Sequence, residues 1–123
     1  MNDFFYKKLD AYKIAKEFTI YVYSLVNIFP AYEQYGLCDQ LRRAAVSVPS
    51  NIAEGMGRMA PKERVHFLEI SYASIIEVLC QLDISQTIGY ITEEDLANAE
   101  EIAGRLTKVM SGLRKSLIDK IQN

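Results

Sequence analysis

The chain of 123 residues contains no tryptophan, a single histidine, two cysteines and three prolines. One histidine, His66, cannot supply the two Glu-x-x-His ligand pairs of a di-iron bundle, although Glu63 precedes it at that spacing. Cys38 and Cys80 stand far apart in no CxxC pairing and read as reduced, helix-borne thiols of a cytoplasmic protein. Nothing brings either cysteine beside His66 as nucleophile and base. The longest uncharged stretch, 18–32, contains Pro30 and falls short of the roughly 20 apolar residues a membrane span needs. The first ten residues lack a basic flank followed by an apolar run, so no secretory signal is expected. Gly55-x-Gly57 is too short for a phosphate loop and follows no strand. No metal, cofactor or catalytic residue is expected, and the chain reads as non-enzymatic.

Lysine and arginine are missing altogether from 67–104, a stretch with eight acids. Segment 37–66 holds Arg42, Arg43, Arg58, Lys62 and Arg64 against three acids, and 105–123 holds five bases against Asp119. The net charge of −2 thus conceals segregated patches. A mean near zero argues against a general nucleic-acid binder, whereas separated patches leave room for a local one.

What is present is helical periodicity over one domain, 1–123, long enough to bury a core without staples. Ala11, Ala15, Phe18, Val22, Leu25 and Phe29 step by four and three, the seam of a bundle helix. Pro30 and Gly36 bracket a turn. A second helix buries Leu37, Leu41, Ala45, Val48 and Ile52. A third starts at Pro61, runs through Val65, Leu68, Tyr72, Ile75, Leu79 and Leu82, and stops near Gly89. Thr92 reads as an N-cap, with Glu93, Glu94 and Asp95 at the positive end of the last helix dipole. That helix carries Leu96, Ala99, Ala103, Leu106, Met110, Leu113 and Leu117. Short connections predict an all-α, antiparallel up-down four-helix bundle. The first helix has a second apolar face with Ile20 and Tyr23, which are candidate residues of an interface between copies.

The densest signal is 35–58, YGLCDQLRRAAVSVPSNIAEGMGR. With Arg43 as origin and about 100° per residue, Ser47, Asn51, Glu54 and Arg58 fall within about 80° of it as one polar stripe. Short Ser47 and Asn51 are poorer helix formers than the Glu, Lys and Gln of a merely solvated face. Pro49 removes one backbone hydrogen bond and crowds the carbonyl of Ala45. Ser47, Ser50 and Asn51 are candidates to replace it; alternatively the helix ends at Val48 and restarts at Pro49. Ala44, Ala45, Ala53, Gly55 and Gly57 permit close approach of another backbone.

The run Tyr35–Gly36–Leu37, Gln40 to Gly55 and Gly57–Arg58 closely resembles the signature of the four-helix bundle proteins. These are also called intervening-sequence proteins, some being encoded within insertions in bacterial large-subunit ribosomal RNA genes. The resemblance extends through Phe67–Leu68, Ala73–Ser74 and Gln81–Leu82 to Gly89–Tyr90 and covers essentially the whole chain. It departs at Tyr12, where relatives often carry tryptophan. The resemblance implies a ring-shaped homopentamer. It also implies similarity to the accessory variability determinant of diversity-generating retroelements, a basic pentamer that works with a reverse transcriptase and nucleic acid. On matching positions, Arg42, Arg43 and Arg58 become candidate contacts to RNA or DNA, with Lys62 and Arg64 beyond the motif. The competing expectation is a protein-interaction scaffold whose arginines serve subunit contacts and ion pairs.

Overall fold

The computed structural model describes residues 4–122. Four helices account for most of them: α1 Asp10–Val26, α2 Leu37–Met56, α3 Pro61–Ile88 and α4 Glu93–Gln122. Short 3-10 turns occupy Phe5–Lys8 and Ala31–Glu33, and no strand occurs among the described residues. Each of α1 and α3 packs against both α2 and α4, and the two face each other across the core diagonal. The result is an all-α, antiparallel up-down four-helix bundle. Phe18, Val22, Leu41, Val48, Ile52, Ile75, Val78, Leu82 and Leu106 form its dry centre.

Local chemistry sets the ends of the helices. Pro61 opens α3 at a first-turn position where its missing N–H costs nothing. Gly89 closes it at φ 101°. There the Gly89 N–H reaches the Gln86 carbonyl at 3.1 Å and the Tyr90 N–H reaches that of Ser85 at 2.9 Å, a Schellman closure. Thr92 and Asp95 then form a reciprocal capping box, Thr92 Oγ1 accepting from the Asp95 N–H and Asp95 Oδ2 from the Thr92 N–H, both at 3.0 Å.

Helix α2 runs unbroken through Pro49 rather than restarting there. The carbonyl of Ala45 that Pro49 frees is met from the neighbouring helix. Thr19 Oγ1 lies 2.9 Å from it and 2.9 Å from the Ala15 carbonyl, sharing its proton. The expected local substitutes do something else. Asn51 Nδ2 donates to the Ser47 carbonyl and to Ser47 Oγ, both at 2.8 Å, and Ser50 is exposed.

Helix α3 departs from the single seam expected of it. Tyr72 is 49% exposed and Leu79 only partly covered, whereas Ser71, Ser74, Val78, Gln81 and Ser85 are buried. The reason is that α3 has two neighbours, and a seam of one residue in three or four serves only one of them. Against α2 it presents small hydroxyls. Ser71 Oγ donates to the Val48 carbonyl at 2.8 Å and Ser74 Oγ lies 2.9 Å from Ser47 Oγ. Gln81 Nε2 donates to Gln40 Oε1 and Glu77 Oε2, both at 3.2 Å. Among the described residues α3 alone has the length and composition of a membrane span. Its apolar residues go partly to α2 and α4 and partly to a stripe left outside.

Candidate functional site

The polar stripe on α2 divides into three environments. Ser47 turns towards α3, where its hydroxyl meets that of Ser74, and Asn51 donates to Ser47; both are half-buried and help hold the bundle together. Arg43, whose side chain is 81% exposed, pairs with Asp39 one turn back at 3.2 Å. Arg42 points elsewhere and donates from Nη2 to the Gln34 carbonyl at 3.1 Å, anchoring the link from α1.

Arg58 lies sixteen residues beyond Arg42, about 24 Å along the axis at 1.5 Å per residue. Its guanidinium stacks 4.9 Å from the Phe67 ring centroid and pairs with Glu54 at 3.3 Å. Arg64 Nε donates to the Arg58 carbonyl at 2.6 Å, closing the α2–α3 turn, and Lys62 is exposed beside it. Gly55 is the hinge of this packing. A Cβ there would stand 2.7 Å from Phe67 Cβ, so α2 and α3 cross too closely for any larger residue. The five basic candidates therefore form two groups, Arg42 with Arg43 and Arg58 with Lys62 and Arg64, at opposite ends of α2.

Ile20 and Tyr23 are exposed, as an interface role requires. Ile20 joins Tyr12, Lys16, Val46, Pro49 and Ala53 along a groove of about 380 Å³ between α1 and α2. Tyr23 and Val46 continue it to Arg42 and Arg43. A second apolar surface was not read from the sequence: Tyr72, Ile76, Cys80, Ile84 and Ile88, one every four residues, run exposed along α3. The spacing is visible in the sequence, but Tyr72 fits the core seam through Leu68 and Ile75 equally well. A groove of about 410 Å³ lined by Leu68, Glu69, Tyr72, Met110 and Arg114 lies alongside it, away from the α2 arginines.

Glu33 ties the two connections at one end of the bundle. Tyr90 donates to Glu33 Oε2 at 2.9 Å and lies 3.1 Å from the Tyr32 hydroxyl, while Glu33 Oε1 accepts from the Leu37 N–H at 3.3 Å. Those hydrogen bonds, to Tyr32 and then to Glu33, push the Tyr90 pKa well above its usual value. Burial raises the Cys38 thiol, with the nearby Arg42 charge acting in the opposite sense. Among the described residues no three His, Cys, Asp or Glu side chains gather closely enough to hold a metal ion.

The family model described as "23S rRNA-intervening sequence protein" matches residues 7–112. The chain belongs to that family. Among solved structures, this intervening-sequence protein is similar to a protein of unknown function from the S23 ribosomal protein family of Bacteroides thetaiotaomicron VPI-5482. The two share 20% identity and a TM-score of 0.77 over 85% of this chain and 98% of that one. At that identity the likeness speaks for a shared fold. No curated protein matches the chain. Neither comparison points to an enzyme family.

Proposed function

We propose that this intervening-sequence protein is a non-enzymatic, self-associating bundle that binds RNA or DNA by neutralising phosphates. The residues assigned to contact are Arg42, Arg43, Arg58, Lys62 and Arg64. The supporting observation is the placement of the signature's polar members. Ser47, Asn51, Pro49 and Gly55 are accounted for by contacts within the bundle, whereas the Arg43 side chain, 81% exposed, is not. Family membership supports the nucleic-acid partner, and the exposed faces around Ile20 and Tyr23 and along α3 support self-association. A homopentamer serving as accessory to a reverse transcriptase or another nucleic-acid enzyme is the assembly this reading favours. One copy offers few charges, and a closed ring multiplies each by its subunit number.

A labelled RNA oligonucleotide titrated with protein at rising salt tests the reading. Affinity should fall linearly in log–log form with a slope set by the phosphates neutralised. Absence of binding at low salt, or binding indifferent to salt, overturns it. The scaffold reading draws on the partners of the same arginines: Gln34 for Arg42, Asp39 for Arg43 and Glu54 for Arg58. It is favoured if their substitution dissociates the assembly with no nucleic acid present.

A further inference from the structure

The antiparallel topology sorts the charge of this chain from end to end. Thr19 lies level with Ala45, Ser47 with Ser74, and Glu17 with Arg105, its hydrogen-bonded partner. These pairs define a plane across the bundle. On one side lie 4–16, 48–71 and 106–122, with eleven bases against five acids. On the other lie 17–47 and 72–105, with three bases against ten acids. Segments remote in sequence thus make a basic pole: the turn before α1, the α2–α3 turn and the end of α4. Arg42 and Arg43 fall in the acidic half.

The pole also carries apolar tips. Met59, at the α2–α3 turn between Arg58 and Lys62, is 93% exposed. Phe4 and Phe5 are 59% and 61% exposed beside Lys7 and Lys8. Lys62, Lys115 and Lys120 are exposed and take part in no ion pair among the described residues. Ammonium groups and open aromatic faces at one end of the bundle suit a strand whose bases are unpaired, since phosphates take the charges and base faces stack on the rings. A duplex offers the same phosphates but no free base faces.

We infer that the basic pole, through Lys62, Lys115 and Lys120 with Phe4 and Phe5, is where a single-stranded nucleic acid docks. This rests on the nucleic-acid reading above and adds to it, at the end of the bundle opposite Arg42 and Arg43, the contact that selects an unpaired strand.

The test uses the full chain and three variants: Lys62→Glu/Lys115→Glu/Lys120→Glu, Phe4→Ala/Phe5→Ala, and Arg42→Glu/Arg43→Glu. All are checked for helicity by circular dichroism. Binding is read by anisotropy of a labelled single-stranded RNA, a duplex of equal length, and vesicles of phosphatidylcholine with phosphatidylserine. The lysine variant should bind the single strand at least about tenfold more weakly, with a salt slope shallower by about 2, since each lost phosphate contact removes about 0.7. The phenylalanine variant should weaken single-strand binding and leave duplex binding unchanged. If only the arginine variant loses RNA, the nucleic-acid reading stands and the pole is not its site. If the vesicles bind and RNA does not, the pole is a membrane contact and both readings fail.

Discussion

Thr19 Oγ1 lies 2.9 Å from the carbonyl oxygen of Ala45, the acceptor that Pro49 deprives of its helical donor. A defect on one helix is thereby repaired from another, twenty-six residues earlier. Thr19→Val should cost about 1–3 kcal/mol, because it leaves a partly buried carbonyl without a donor. Pro49→Ala restores the N–H, so the loss should largely disappear in the double variant. Urea denaturation of the four proteins of this cycle measures it. Additive losses would mean that the hydroxyl does not serve the proline.

Gly55→Ala should destabilise the bundle by about 1–3 kcal/mol, the range for forcing extra volume into a packed contact. The obstacle is Phe67 Cβ at 2.7 Å, not the ring alone. Phe67→Ala keeps that atom and should not rescue Gly55→Ala, whereas Phe67→Gly should recover part of the loss. Thermal melting of the single and paired variants distinguishes them.

Tyr90 gives a pH dependence of definite sign. Its pKa in the folded chain is raised above the ordinary tyrosine value of 10.0 by hydrogen bonds to Tyr32 and Glu33, so the native state holds its proton longer than the unfolded chain. Stability from this cluster is therefore complete below about pH 10 and declines as pH rises beyond it towards the folded value. Tyr90→Phe should make the alkaline fall in denaturation midpoint shallower. An identical fall in wild type and variant would show that the Glu33 contact contributes nothing there.

Helix limits and caps were legible in the sequence because their causes are local: Pro61 at the start of α3, Gly89 at its end, and Thr92 with Asp95 at the start of α4. The α1 seam was legible because it consists of apolar residues at regular spacing. The second buried face of α3 was not, since Ser71, Ser74, Gln81 and Ser85 carry no apolar signal. Ser71 and Ser74 are inside because their hydroxyls meet α2, Gln81 reaches Gln40 of α2, and Ser85 Oγ donates back to the Gln81 carbonyl of its own helix. Helical angle put Arg43, Ser47, Asn51, Glu54 and Arg58 on one stripe, but angle on one helix does not reveal which edge a neighbour covers, and Arg58 lies past the end of α2. Thr19 as the partner of Pro49 had no local signal at all. The opposition of acidic and basic ends emerged only when the topology brought distant segments level.

The exposed row Tyr72, Ile76, Cys80, Ile84 and Ile88 on α3, with Ile20, Tyr23 and Val46 on the α1–α2 face, carries the claim that copies of this chain meet. Sedimentation velocity at micromolar concentration, without nucleic acid, tests it most directly. The expected mass is a multiple of the 14.0 kDa chain, falling to one chain in Ile76→Asp/Ile20→Asp with helicity retained. Wild-type protein sedimenting as a single 14.0 kDa chain would contradict it.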